Sequence, residues 1–81
     1  MAAHTGKLGA LRRSQLESII QDACLGEIDE YISRRYLIDK IPHIEIAGEL
    51  AGRYGVRYDR STVTRHWCRI KKTIERMIPS G

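Results

Sequence analysis

Between Ser61 and Ile78 the chain carries anion-binding side chains at a spacing that gathers them. Arg65, Arg69, Lys72 and Arg76 recur at steps of three and four residues, so on a helix turning about 100° per residue they share one side. Ser61 stands on that side at the helix start, and Thr62, Thr64 and His66 flank it. Arg and Lys bind phosphate, Arg also offers a bidentate fork to guanine, and Ser or Thr reaches phosphate or a base edge. The chemistry on offer is recognition of a nucleic acid, with no bond made or broken. A basic face on a terminal helix is also a common solvated surface, and the helix alone does not separate the two readings.

Other reactive residues are scattered. His66 and Cys68 are near neighbours, with Cys24 and His43 elsewhere, but there is no paired C-x-x-C or H-x-x-x-H spacing of a zinc site, so neither metal nor cofactor is expected. A catalytic Cys-His pair drawn from these residues lacks a strand-borne scaffold and a phosphate loop, and no enzyme is expected. Asp22, Glu27, Asp29 and Glu30 have no metal-loop spacing and form a solvated acidic face.

The element that must position the cations is the same stretch seen from its other side. Val63, Trp67, Ile70, Ile74, Met77 and Ile78 follow the i, i+4, i+7 rhythm of a buried stripe. One helix therefore covers the stretch, with Asp59 or Ser61 as its N-cap and Trp67 in the core. Upstream, Ser14-Gln-Leu-Glu17 has the form of a capping box that starts a helix with Leu16, Ile19, Ile20 and Ala23 inside. The stripe then moves round to Ile28, Tyr31 and Ile32, which predicts a break at Gly26. Asp29 and Glu30 open the second piece and Arg34 and Arg35 close it, as the helix dipole favours. After Pro42 a helix carries Ala47, Leu50, Ala51 and Tyr54 at i, i+3, i+4, i+7, and Gly55 ends it in a left-handed turn. Gly48 and Gly52 each weaken that helix by roughly 1 kcal/mol relative to Ala, which points to close approach of another helix.

The 81 residues include no Phe and carry a formal charge of +4. So small a core is marginal, and pairing of chains as a homodimer through the N-terminal helices is one way to add to it. The charge is unevenly spread. From residue 60 onward Arg60, Arg65, Arg69, Lys71, Lys72 and Arg76 face Glu75 alone, and Lys7, Arg12 and Arg13 lie near the N-terminus, while the middle is net acidic. Basic ends round an acidic middle favour a polyanion held at one surface. Two distant cysteines, no apolar leader and no stretch of membrane-spanning length lead to the expectation of a cytoplasmic protein with free thiols. Residues 1–13 are expected to be a flexible basic arm, 14–78 one domain and 79–81 a tail. No hairpin signal occurs, so no wing is expected.

Glu49-Leu-Ala-Gly-Arg-Tyr-Gly-Val56 followed by Ser61-Thr-Val-Thr-Arg65 resembles the helix-turn-helix of bacterial and phage transcriptional regulators, and also that of sigma factors and site-specific recombinases. The resemblance spans residues 44 to 72. In that pattern a small residue in the first helix, a turn glycine and an apolar residue early in the second helix lock the pair; Ala51, Gly55 and Val63 match them, with Val56 after the glycine. One departure is plain: four residues separate Gly55-Val56 from Ser61-Thr-Val, where the family usually has two.

The resemblance implies an all-α bundle of three to five helices whose last helix enters the major groove of double-stranded DNA. Ser61, Thr62, Thr64, Arg65 and Arg69 take the groove-facing positions. Lys72 and Arg76 lie further along towards the phosphates, and Arg57 and Arg60 become phosphate clamps near the turn. A small transcriptional regulator is the expected use. A recombinase, transposase or sigma-like DNA-binding module fits the same residues. A helical protein-interaction module using Tyr31, Ile32, Tyr36 and Leu37 is the reading from another class.

Overall fold

Val63, Trp67, Ile70 and Ile74 are all buried along one side of a long helix, as their spacing predicts. The computed structural model describes Leu8 and residues 11–78. Among these it contains four α-helices and no strand: α1 (Arg13–Asp22), α2 (Glu27–Ser33), α3 (His43–Tyr54) and α4 (Arg60–Met77), with a π-helical turn, Arg34–Ile38, continuing α2. The protein is a small all-α bundle. None of these helices is long and apolar enough to cross a membrane. Most of the expected arm and the whole of the expected tail lie outside the described residues. Leu8, assigned by the sequence to the arm, is fully buried and belongs to the core.

Local chemistry sets each boundary. The Asp59 carboxylate accepts the Thr62 backbone N–H at 2.8 Å and so caps α4. Hydrogen bonding from Thr62, first its N–H and then its hydroxyl, holds the Asp59 carboxyl below the usual range. Gly55 ends α3 at φ 69°, its N–H bonded to the Ala51 carbonyl, a left-handed conformation that glycine adopts without penalty. The break before α2 runs through Cys24 at φ 51° and Gly26 at φ 94°.

The start of α1 corrects the sequence reading. The Gln15 side chain, not Glu17, reaches back to a backbone N–H, that of Arg12 at 2.8 Å. Helix α1 thus begins ahead of Ser14, whose hydroxyl is inside the first turn, and Glu17 instead pairs with Arg13 and Arg34.

Helices α3 and α4 make the most extensive contact in the bundle. Ile46, Ala47 and Leu50 fill the inner side of α3, whereas Ala51, the residue matched to the small packing position, is exposed. Met77, expected in the buried stripe of α4, is 38 % exposed. Ile74 before it is fully buried and Ile78 after it is half-buried against the core, so Met77 stands at the edge of the stripe.

Gly48 and Gly52 are a further correction. No neighbouring atom lies within 4 Å of a Cβ built on either one, so no helix approaches closely there and neither needs left-handed backbone. Replacing both by alanine is expected to stabilise the protein by about 1–2 kcal/mol, raising the melting temperature by several degrees. A thermal melt of Gly48→Ala, Gly52→Ala that shows no gain would contradict an open α3 face.

Of the four residues offered for a protein partner, two are buried and two, Tyr31 and Tyr36, are half-buried. Ile32 and Leu37 are core residues, and Tyr36 packs edge-on to Trp67 at 5.0 Å. Tyr31 donates its hydroxyl to Glu49 at 2.9 Å. Arg35, expected to serve the helix dipole, instead grips Glu49 with two parallel bonds of 2.8 and 2.6 Å and reaches Asp39 at 2.9 Å. A fork of this kind is geometrically specific. It ties the π-helical turn to α3.

Those bonds from Arg35, with a smaller contribution from Tyr31, hold the Glu49 carboxyl below its ordinary pKa against the opposing effect of burial. A depressed carboxylate stabilises the fold above its unfolded pKa and loses that contribution as pH falls through the folded value. Wild type should therefore lose stability below about pH 4, the ordinary Glu range. Glu49→Gln should be weaker at neutral pH with a flatter acid profile. Urea midpoints measured from neutral to acid pH check this; parallel profiles would exclude Glu49 as a source of the acid sensitivity.

Candidate nucleic-acid interface

Burying the Val63–Trp67–Ile70–Ile74 side of α4 leaves the opposite side in solvent. Ser61, Arg65, Arg69, Lys72 and Arg76 lie along it, every one exposed. Arg60 is exposed at the first turn and Arg57 in the connection before it. Arg65, Arg69, Lys72 and Arg76 therefore share one exposed helix face, whereas Arg60 stands on the α3 side of the helix with His43 and Thr64.

The two threonines are placed differently. Thr62 is half-buried, and its hydroxyl accepts from Arg65 Nη2 at 3.2 Å, so it steadies a guanidinium. Thr64 is also half-buried. Its hydroxyl donates to the Arg60 carbonyl at 2.9 Å and lies 2.8 Å from His43 Nδ1 at the start of α3. Thr64 thus stands on the flank of α4 that meets α3, off the exposed line.

The longer connection has a clear form. Gly55 to Asp59 are non-helical, with Val56 and Tyr58 packed against the core and Arg57 and Asp59 exposed between and beyond them. The extra residues of the connection lie along the bundle as an extended segment.

Sequence reasoning did not assign three residues that stand at this face. His66 Nδ1 lies 2.9 Å from Asp29 Oδ1 of α2, and its ring stacks on Tyr58 at 4.9 Å between centroids. Thr62, Arg65, His66 and Arg69 line an open concavity of about 370 Å³. Only the position of His66 beside the cations was visible in the sequence; Asp29 lies 37 residues away and gives no local signal. A second concavity, about 390 Å³, is lined by Tyr36, Pro42, His43, Arg60 and Thr64. Both cysteines are exposed and free.

Comparisons of the chain with protein-family models, with characterised proteins and with solved structures find no match. What the fold and the site define is a small helical protein with a cationic face on its longest helix.

Proposed function

We propose that this protein binds double-stranded DNA in a sequence-specific manner, α3 and α4 acting as a helix-turn-helix and α4 lying in the major groove, in the service of transcription regulation. The observation that carries the reading is the exposed line Ser61, Arg65, Arg69, Lys72 and Arg76 on a helix whose other side is the core. Such a helix presents its cations without giving up its packing. A B-DNA major groove about 12 Å wide admits a helix, whereas the A-form groove of RNA is too deep and narrow for side chains to read.

The roles divide by position. Arg65 and Arg69, with Ser61 near the helix start, face the base edges. Arg57, Arg60, Lys72 and Arg76 neutralise phosphates on either side, and Thr62 holds Arg65 in place. Thr64 contributes through the α3 contact, not at the groove.

Fluorescence anisotropy with a random duplex across a salt series tests the reading. Binding that is tight at low salt and weakens steeply as salt rises is the signature of counterion release. Absence of binding even at low salt would remove it.

A further inference from the structure

His66 Nδ1 stands between opposite charges, 2.9 Å from Asp29 Oδ1 and 3.2 Å from Arg69 Nη2. A carboxylate only accepts and a guanidinium only donates, so one ring nitrogen cannot serve both at once. With a proton on Nδ1 the ring donates to Asp29 and offers Arg69 nothing. With a lone pair there it accepts from Arg69 and makes no hydrogen bond to Asp29. The neutral ring can take either form, according to its tautomer; the charged ring, with a proton on both nitrogens, can take only the first. The pair is largely withdrawn from water, the His66 and Asp29 side chains being 22 % and 25 % exposed, so the choice is made at a site with weakened solvent screening.

The same ring is a wall of the concavity shared with Thr62, Arg65 and Arg69. The titratable and charged groups that face it are Asp29 from α2, Tyr58 from the connection, and Arg65 and Arg69 from α4. Asp29 brings one negative charge to the ring and the two guanidiniums bring two positive charges. A phosphate entering the concavity would neutralise the guanidiniums and tip the balance towards the charged ring.

We propose that this concavity is a proton-linked phosphate site, in which protonation of His66 commits Nδ1 to Asp29, releases Arg69, and adds a positive charge to the wall that receives one backbone phosphate of a DNA duplex. The inference rests on the DNA-binding reading and assigns His66 a part in it. Linkage makes the effect reciprocal: if the phosphate favours the proton, the proton favours the phosphate. An imidazole ordinarily changes charge between about pH 5 and 8, so duplex affinity rises on acidification through that range.

The test measures anisotropy with a random duplex across a salt series at about pH 5.5 and about pH 8, for wild type, His66→Asn and His66→Gln. The Asn amide can donate to Asp29 much as Nδ1–H does but cannot take up a proton; Gln guards against a failure of the Asn variant to fold, and circular dichroism verifies both. For wild type, the slope of log affinity against log salt should steepen by about 0.9 at the lower pH, equivalent to roughly eightfold tighter binding near 0.1 M salt. The variants should bind the duplex with no such change. Equal pH dependence in wild type and a folded variant overturns the proton-linked site while leaving DNA binding intact. No binding by wild type at either pH overturns the DNA reading itself, and this inference falls with it.

Discussion

Replacing Trp67 by alanine should remove about a third or more of the protein's stability and lower its urea midpoint sharply. Trp67 is 1 % exposed, the largest of the fully buried side chains, and lies on α4 among Val63, Ile70 and Ile74 with the Tyr36 ring at its edge. Truncating a buried Trp to Ala costs about 3–5 kcal/mol, part lost transfer energy and part the cavity left behind. At roughly 0.05–0.15 kcal/mol per residue, a folded chain of 81 residues has about 4–12 kcal/mol in hand. One substitution therefore removes a large share of the total. Trp67→Phe retains a ring against Tyr36 and should lose distinctly less. Far-UV circular dichroism with urea titration measures both. A Trp67→Ala protein with a wild-type midpoint would mean that α4 is not seated through this residue.

The same residue shows why α4 was legible in the sequence. Its stripe repeats through Val63, Trp67, Ile70 and Ile74 over about three turns, its cap is supplied by Asp59 three residues before the N–H it accepts, and the preceding helix ends at a glycine with the expected left-handed backbone. All three signals are local. The features that were not legible depend on distance or on phase. Asp29 and His66 are 37 residues apart, and Glu49 binds Tyr31 and Arg35 across 18 and 14, so no window of the sequence contains either pair. The π-helical turn at Arg34–Ile38 follows a seven-residue α-helix, and it brings Arg35 to Glu49; a periodicity of 3.6 has no means of announcing it.

Phase accounts for the errors on α3. Ala47 and Ala51 both stood on the expected stripe, and Ala51 was also matched to the family's packing position; the core takes Ala47, with Ile46 and Leu50, and leaves Ala51 on the exposed edge. Gly48 and Gly52 then fall on the open side, which explains their freedom from contact. Ile44 shares that side and is 65 % exposed. For the candidate site, Arg65, Arg69, Lys72 and Arg76 were visible because they lie on one periodic helix. His66, Asp29 and Tyr58 became visible only when α2 and the connection were brought against α4.

Removing Arg65 and Arg69 together should abolish most duplex binding without disturbing the fold. Both are exposed, and the Arg65 contact with Thr62 and the approach of Arg69 to His66 are 3.2 Å surface interactions of the kind that contribute little to stability. Alanine is also the strongest helix former, so the melting temperature of Arg65→Ala, Arg69→Ala should stay near that of wild type. Binding should behave otherwise. If each guanidinium neutralises one phosphate, losing both lowers the slope of log affinity against log salt by about 1.8 and weakens binding roughly sixtyfold near 0.1 M salt. Base contacts by either residue add to that loss on a cognate sequence. A matched control removes the same net charge elsewhere: Arg34 bridges Glu17 and Glu30, and Arg53 lies over the Tyr31 ring. Arg34→Gln, Arg53→Gln should keep duplex affinity within a few-fold of wild type once its fold is verified. If the two double variants lose affinity equally, attraction of a cationic protein to a polyanion is sufficient to account for binding, and the face of α4 has no special part in it.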